Sequence, residues 1–277
     1  MFVVTGATGN VGRPLVQALA KAGAEVTAVS RRAADADLPA GVRHVQADLA
    51  DAASLKPALD GAEAVFLLIP DNEVDLYAVL DVVKAAGVRR IVLLTSQGTG
   101  TRPRSASHGP ARVFEDAVRA SGLDWTILRP SGFASNAFWW AEPIRAHRTV
   151  VAPFADVRLP VIDPADIAEV AAAVLRDESH AGQTYVLTGP ELSSVRERTR
   201  VIADALGARI EFVEQSRADA AAQLRQIMPE EIAEGTLDIL GEPTPAEQEV
   251  SPDVEKVLGR PARTFAAWAE RNVAAFR

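Results

Sequence analysis

The stretch that decides the fold is Thr5-Gly6-Ala7-Thr8-Gly9-Asn10-Val11-Gly12, between a short apolar run and a helix-like segment. In this context each glycine has its own task. One permits a sharp turn, one lets the backbone approach a pyrophosphate, and one lets helix and strand pack closely. Free N–H groups at the helix start attract phosphate, and Thr8 and Asn10 add polar contacts. The sequence predicts a dinucleotide-binding turn, against the alternative of a glycine-rich turn without ligand.

Short apolar runs alternate with helix-like segments through the first half of the chain. Such alternation is typical of a parallel sheet with helices on both faces, so we predict a Rossmann-type, doubly wound α/β fold. The predicted strands are Phe2–Thr5, Glu25–Ser30, Val42–Gln46, Ala64–Ile69, Arg90–Thr95 and Trp125–Arg129, and the helices Val11–Ala22, Asp75–Ala86 and Pro110–Ser121.

The pattern is irregular from Gly132 to Val161 and then resumes. We predict a nucleotide-binding core of residues 1–130, with residues 160–190 packing back onto it. Residues 131–159 and 191–277 form a smaller C-terminal α/β lobe. Its predicted elements, with those of 160–190, are helices at Pro164–Arg176, Ser194–Leu206, Ala218–Ile227, Glu230–Leu240 and Thr264–Phe276, strands at Thr184–Leu187 and Arg209–Val213, and a surface loop at Gly241–Asp253.

Composition excludes several classes of function. The net charge of -8 repels phosphate backbones, which argues against nucleic-acid binding. The absence of cysteine excludes disulfides and thiolate chemistry, and four scattered histidines predict no metal site. The apolar run Ala64–Pro70 is too short for a membrane span, and a strand beginning at Phe2 leaves no room for a signal peptide. We therefore expect a cytoplasmic protein without membrane contacts.

The end of the second strand predicts which nucleotide is bound. NAD-preferring folds place a carboxylate there for the ribose hydroxyl, whereas this strand ends in Arg31 and Arg32. Two guanidiniums suit a 2′-phosphate, so the predicted cofactor is NADP(H); the alternative is a solvated basic loop. After the third strand, Asp48 and Leu49 are placed to contact the adenine, although Asp48 could instead cap a helix from about Ala52.

In their order along the chain, these and later motifs resemble the NmrA-like group of atypical short-chain dehydrogenase/reductases. That group includes NADPH-dependent quinone reductases and redox-sensing regulators. The resemblance covers nearly the whole chain. It rests on Gly6–Gly12, Leu93–Ser96, Ser121–Pro130, Ile162–Ala168, His180–Pro190 and Gly259–Phe265.

The resemblance implies that NADP(H) lies across the strand ends, and that the lobe after Arg129 shapes the substrate pocket. The adenosine and phosphate side would be lined by Thr5, Gly6, Thr8, Asn10, Val11 and Arg31, and the ribose and nicotinamide side by Leu68, Ile69 and Pro70.

The usual catalytic pair of short-chain dehydrogenases is missing. A tyrosine and a lysine four residues later are expected in the helix before Gly122, but the helical phase places Ser107 and Ala111 there. The nearest titratable replacement is His108, since an imidazole can donate a proton near neutral pH. The alternative is an ordinary polar residue in the loop before the helix.

The missing tyrosine–lysine pair restricts the kind of substrate that the protein could reduce. Reduction of a quinone or conjugated enone gives a stabilised phenolate or enolate, so positioning and a dry pocket dominate. Thr95 or Ser96 at a strand end, water, or His108 suffices there, unless both hydroxyls merely satisfy a turn. We predict hydride transfer from NADPH to such an acceptor. A non-catalytic NADP(H) sensor with a protein partner is the alternative, followed by an isomerase or lyase.

Aromatic residues after the strand ending at Arg129 suit a flat, quinone-like small molecule. The alternative is that these rings form the core of the lobe. We expect Arg129 itself to pair with a carboxylate of the fold, and the protein to be a monomer or homodimer. The predicted substrate contacts are Phe133, Asn136, Trp139 and Trp140.

Overall fold

Strands and helices alternate from the first residues of the chain in a computed structural model that describes residues 1–32, 38–68 and 74–277. The strands are β1 Phe2–Val4, β2 Val26–Ser30, β3 Arg43–Gln46, β4 Ala64–Leu68, β5 Arg90–Leu94, β6 Asp124–Pro130, β7 Gly132–Phe133, β8 Thr149–Ala152, β9 Arg158–Ile162, β10 Gln183–Leu187, β11 Leu192–Ser194 and β12 Glu211–Glu214.

The helices are α1 Gly12–Lys21, α2 Lys56–Leu59, α3 Leu76–Ala85, α4 Gly98–Thr101, α5 Gly109–Ala120, α6 Ala141–His147, α7 Pro164–Arg176, α8 Val195–Leu206, α9 Arg217–Leu224, α10 Glu230–Gly241, α11 Asp253–Leu258 and α12 Phe265–Asn272. Short 3-10 helices lie at Ala52–Leu55, Ala106–His108, Ala134–Trp140, Glu178–His180, Pro245–Glu247 and Val273–Phe276. None of the helices within the described ranges has the length and apolar character that a bilayer crossing requires.

Seven parallel strands form the main sheet in the order β10-β6-β5-β4-β1-β2-β3. Strand β1 lies between β2 and β4, with Val3 opposite both Thr27 and Val65. The chain therefore winds one way from β1 and then the other, and a crevice opens where the carboxyl ends of β1 and β4 diverge. The predicted doubly wound Rossmann-type sheet is confirmed.

Helices cover both faces of this sheet. On one face, α1 buries Leu15, Val16 and Leu19 against α7, which carries nine buried residues. On the other face, α3 and α5 pack over the strands. Apolar residues three and four apart make one stripe per helix, and each fully buried aliphatic side chain contributes about 1.5–3 kcal/mol.

The later part of the chain forms two small sheets. Strand β9 pairs with β7 and β11, and β8 pairs with β12 in parallel. The prediction that residues 132–161 are irregular was therefore wrong. Each strand there is short, and β8 finds its partner about sixty residues further along, so no local alternation reveals it.

The predicted surface loop at Gly241–Asp253 is also only partly correct. It contains the 3-10 turn Pro245–Glu247, and the Glu247 side chain is only 2% exposed. Arg102 donates to this carboxylate from Nε at 2.8 Å, which holds the segment against the end of α4. A charged residue in a Pro-rich stretch gives no local signal of such a distant partner.

Candidate active site

Two glycines shape the turn after β1 because no larger residue fits their positions. Gly6 has a φ of +61°, and a Cβ there would lie 2.9 Å from Cδ2 of Leu68. A Cβ on Gly12 would lie 2.1 Å from the backbone oxygen of Gly6. Gly6 therefore makes the turn and Gly12 lets α1 approach it, while Gly9, Thr8 and Asn10 remain exposed.

The start of α1 is suited to an anion. Its N-cap residue, Val11, offers no side-chain hydrogen bond, and no acidic residue stands in the first turn. The unsatisfied N–H groups and the helix dipole both favour a negative group there. A pyrophosphate fits this cradle, which is the geometry that the glycine pattern predicts.

Thr5 connects the two strands that flank the crevice. Its hydroxyl donates to the backbone oxygen of Phe66 at 3.0 Å and accepts from the N–H of Leu68 at 2.9 Å. Because this buried hydroxyl is fully engaged, Thr5 shapes the crevice and offers no free hydroxyl to a nucleotide. The predicted contacts Ile69 and Pro70 lie outside the described residues.

Two exposed guanidinium groups stand beyond the end of β2. Gln46 donates to the backbone oxygen of Arg31 at 3.1 Å, and Ser30 donates to that of Arg32 at 2.7 Å. The backbone is thereby held while both side chains extend into solvent. Within residues 1–32, 38–68 and 74–277, neither guanidinium forms an ion pair.

Asp48 and Leu49 have local roles that differ from the predicted contact with adenine. The carboxylate of Asp48 accepts the N–H of Ala50 at 3.1 Å, so it closes its own turn and does not cap the helix from Ala52. The Leu49 side chain is buried in the core with Leu55. Alternation of exposed and buried residues after β3 directs leucine inward, which the sequence alone did not show.

The glycine turn also contacts the segment after β7. Nδ2 of Asn10 donates to Oγ of the buried Ser135 at 3.4 Å. Asn10 therefore has a structural contact that connects the turn to the 3-10 helix Ala134–Trp140, and its contact with phosphate stays a prediction.

A cavity of about 430 Å³ opens at the carboxyl ends of β5 and β6. It brings together five predicted residues from three separate segments: Thr95, Ser96, His108, Phe133 and Asn136. The remaining lining residues are Gln97, Gly98, Ser107, Pro130, Ser131, Gly132, Ile232, Thr236, Ile239, Leu240 and Glu247.

The wall supplied by α10 was missed by the sequence prediction. Ile232, Thr236, Ile239 and Leu240 recur at helical spacing and so occupy one face. The helix itself was predicted at Glu230–Leu240. The spacing of these residues could have been read from the sequence. The sequence could not show that this helix face covers a cavity whose other walls lie more than 90 residues earlier in the chain.

Two predicted substrate contacts lie elsewhere. Trp139 is 66% exposed and does not line the cavity, and Trp140 packs 5.9 Å from the guanidinium of Arg198 on α8. The ring of Phe138, which is 38% exposed, lies 5.0 Å from that of the buried Trp268. The aromatic wall is therefore limited to Phe133, and Trp140 and Phe138 follow the alternative interpretation as packing residues.

His108 enters the cavity against a glycine. A Cβ on Gly98 would lie 2.1 Å from Nε2 of the ring, so only glycine leaves room for it. Nδ1 lies 3.0 Å from Oγ of Ser107. Burial is the largest cause that lowers the pKa of His108, followed by the positive charge of Arg112. The charge of Arg102 lowers this pKa further, and the carboxylate of Glu247 raises it. The imidazole is therefore neutral at neutral pH.

Thr95 is committed to a buried ion pair. Its hydroxyl donates to Oε1 of Glu115 at 2.8 Å, and Arg129 donates to the same carboxylate at 2.9 and 2.5 Å. Burial raises the pKa of Glu115, but the bonds from Arg129 and Thr95 outweigh it and the net pKa is lowered. The predicted donor role of Thr95 is wrong, and the predicted pairing of Arg129 is confirmed.

Two serine hydroxyls remain for a bound molecule. Oγ of Ser96 accepts the N–H of Gly98 at 3.2 Å, and its proton has no acceptor within the described chain. Ser131, which sequence reasoning missed, is 8% exposed, and its Oγ has no hydrogen-bond partner among the described residues. A buried hydroxyl costs free energy unless something pairs with it.

Comparisons with known proteins agree with this geometry. Residues 6–178 match a family model described as NAD(P)H-binding. The chain is 37% identical over 281 residues to a (4-alkanoyl-5-oxo-2,5-dihydrofuran-3-yl)methyl phosphate reductase from Streptomyces griseus, covering 100% of this chain and 99% of that one. It is 33% identical over 299 residues to an NAD(P)H azoreductase from Xenophilus azovorans, covering 100% and 99%.

A solved structure of an NADPH-dependent quinone oxidoreductase from Escherichia coli, complexed with NADPH, shares the fold. Its TM-score is 0.77 at 26% identity, covering 98% of this chain and 99% of that chain. The chain belongs to the NAD(P)H-binding family. Its fold is also similar to that of a solved NmrA structure, with a TM-score of 0.76 at 20% identity, covering 99% of this chain and 95% of that chain. The chain is an NAD(P)H-dependent oxidoreductase, so the predicted cofactor and enzyme class are confirmed.

Proposed function

We propose that this oxidoreductase transfers hydride from NADPH to an uncharged quinone or conjugated carbonyl compound held in the cavity between β5, β6 and α10. The observation that carries the proposal is the cavity itself, about 430 Å³ at the carboxyl ends of the strands. Small-molecule sites are roughly 300–1,000 Å³ and occupy this edge of open α/β sheets.

The cofactor assignment follows from the turn and the basic pair. The pyrophosphate lies at Gly6–Gly12, where α1 begins without a capping side chain. Arg31 and Arg32 hold the 2′-phosphate because their guanidiniums extend from a fixed backbone. Leu68 packs over the turn on the side toward the ribose. When bound, NADPH supplies the hydride.

The cavity lining suits a flat, uncharged acceptor. Phe133, Ile232 and Ile239 make apolar walls, which exclude water from the reacting atoms. Neither lysine nor arginine is among the lining residues, and the two stretches outside the description, 33–37 and 69–73, contain no basic residue. A phosphorylated substrate would therefore lack a cationic partner in this cavity.

The proton donor is His108. Of the two tyrosines, Tyr77 is 63% exposed on α3, and the hydroxyl of Tyr185 lies 2.7 Å from Nδ1 of His180, outside the cavity. A quinone or enone accepts hydride to give a stabilised anion, so a neutral imidazole N–H is a sufficient donor. Ser96 and Ser131 position the acceptor oxygen.

The named relatives support a conjugated acceptor. The Streptomyces griseus protein is named for a furanone whose ring double bond is conjugated with carbonyl groups, and the Escherichia coli protein for quinones. The first of these is also named for a phosphate ester, for which the lining of this cavity offers no lysine or arginine. The shared element is the conjugated carbonyl.

The test is NADPH oxidation with four acceptors: a neutral quinone, a neutral enone, a saturated ketone and a phosphate-bearing enone. We expect turnover with the first two, with the neutral enone preferred over its phosphorylated counterpart. Turnover with the saturated ketone alone would contradict the proposal. Tight NADPH binding without turnover of any acceptor would favour a sensor instead.

A further inference from the structure

Three side chains beside the cavity form a continuous line of polar atoms. Oγ of Ser105 lies 2.7 Å from Oγ of Ser107, which lies 3.0 Å from Nδ1 of His108. Ser107 and His108 line the cavity. Ser105 is only half-buried and the adjacent Ala106 is exposed, so the outer end of the line reaches solvent.

The surrounding contacts hold this line in place. Arg112 donates to the backbone oxygens of Ser105 at 2.9 Å and Arg102 at 3.2 Å. From the other side α10 presses close, since a Cβ on Gly235 would lie 2.3 Å from Oγ of Ser107. The serine is therefore clamped between the loop and a glycine of the facing helix.

The charges around the His108 ring keep it neutral, so a nearby proton donor such as the Ser107 hydroxyl is needed to replace a proton that the ring gives up. Arg112 and Arg102 face His108 and disfavour a second proton, and the carboxylate of Glu247 opposes them. Burial also disfavours the charged ring, as the two guanidinium groups do, so the pKa of His108 is lowered. The neutral ring carries one N–H, so a proton given up at Nε2 has to be replaced, and the nearest hydroxyl, that of Ser107, lies at Nδ1.

We propose that Ser105 and Ser107 form a hydroxyl relay that passes a proton from solvent to Nδ1 of His108 while Nε2–H protonates the reduced substrate. This inference rests on the proposed function. The substrate gains hydride from NADPH and a proton from Nε2. Ser107 gives its proton to Nδ1, Ser105 replaces it, and an acid of the solvent (hydronium or buffer) replaces that of Ser105, so one solvent proton is consumed in each turnover. The ring then carries its proton on Nδ1 and both hydroxyls are reversed. After product release the ring takes a solvent proton at Nε2 from the open cavity and returns the Nδ1 proton through Ser107 and Ser105 to solvent, which restores the starting state.

Both serines are positioning residues that act through the histidine. We expect Ser107→Ala to lower kcat by about tenfold or more, because general acid catalysis contributes roughly 10²–10⁴-fold. KM and NADPH affinity should stay unchanged. The matched control is Ser179→Ala, an exposed serine that also precedes a histidine, His180, outside the cavity.

A second measurement does not depend on turnover. Nitrogen NMR of the imidazole in the cofactor-free protein should show the proton of His108 on Nε2, because Ser107 donates to Nδ1. Ser107→Ala should shift that tautomer balance, and Ser179→Ala should not. A proton on Nδ1 in the wild type would overturn the relay, since Ser107 would then accept and could not deliver.

The two proposals fail separately. If His108→Ala loses activity while Ser107→Ala keeps the wild-type kcat, the relay is wrong and the proposed function stands. If the wild type oxidises NADPH with none of the acceptors, the proposed function is wrong, and the tautomer measurement still decides whether Ser107 donates to the ring.

Discussion

The glycine turn and the cavity are built in opposite ways. The turn comes from one continuous stretch, 5–12, whose closest contacts are backbone atoms and Leu68. The cavity is assembled from four stretches, 95–98, 107–108, 130–136 and 232–247, held by side-chain networks. A site made of adjacent residues leaves a readable motif, whereas a site made by folding leaves only scattered polar and apolar residues.

The turn should be the less tolerant of the two regions, which gives the largest expected effect. Gly12→Val would place a branched side chain where even a Cβ lies 2.1 Å from the Gly6 oxygen. Because backbone cannot yield as a side chain can, we expect NADPH binding to be lost, with destabilisation of about 1–3 kcal/mol or more. Cofactor fluorescence and thermal unfolding measure both.

A control separates the clash from general glycine strain. Gly23 also has a positive φ, +75°, but a Cβ there meets nothing within 4 Å. Gly23→Ala should cost about 1–2 kcal/mol of stability, because alanine is strained at this φ, and leave NADPH affinity intact. Equal loss of binding in both variants would contradict the role given to Gly12.

Cavity variants should instead separate chemistry from binding. His108→Ala removes the proton donor, so we expect kcat to fall about 100-fold with the NADPH dissociation constant unchanged. The exposed His147→Ala serves as control. A parallel loss of cofactor affinity would show that His108 supports the turn and not the reaction.

The basic pair tests the outer end of the cofactor site. Arg31→Ala should weaken NADPH about tenfold, since a charge-assisted hydrogen bond contributes roughly 1.5–3 kcal/mol and Arg32 remains. NADH lacks the 2′-phosphate and is the internal control. Equal weakening of both nucleotides, or of neither, would remove Arg31 from the site.

The smallest effect that we expect is on how the free energy of unfolding depends on pH in acid, through Glu247. Burial raises the pKa of Glu247, but bonds from Arg102 and Thr244 outweigh it, so the folded pKa lies below the ordinary 4.5. Its stabilising contribution is present above pH 4.5 and is lost as the pH falls through the folded value.

Glu247→Gln should therefore flatten the loss of unfolding free energy below pH 4.5 while lowering stability at neutral pH. Denaturant titrations across that range measure it, with the exposed Glu231→Gln as control. An unchanged pH profile would mean that the buried Arg102–Glu247 pair does not couple to folding.

The difference between a turn made of adjacent residues and a cavity assembled from distant ones determines how much of each could be predicted from the sequence. Strand–helix alternation and the glycine spacing are local, so the sheet, the turn and the cofactor class followed from them. His108 and Asn136 both line the cavity, and each had a local signal: the phase of the helix before Gly122 for His108, and the position soon after a strand end for Asn136. The roles of Thr95 and Glu247 depend on partners 20 and about 145 residues away, and no local pattern carries that information.

The central claim is that hydride from NADPH reaches a conjugated carbonyl compound in this cavity. The most direct test uses NADPH deuterated at the transferring carbon of the nicotinamide, a neutral enone, and mass spectrometry of the product. We expect one deuterium on a former alkene carbon, and we expect His108→Ala to form this product far more slowly. Reduced product without deuterium, or unchanged deuteration rates in that variant, would contradict it.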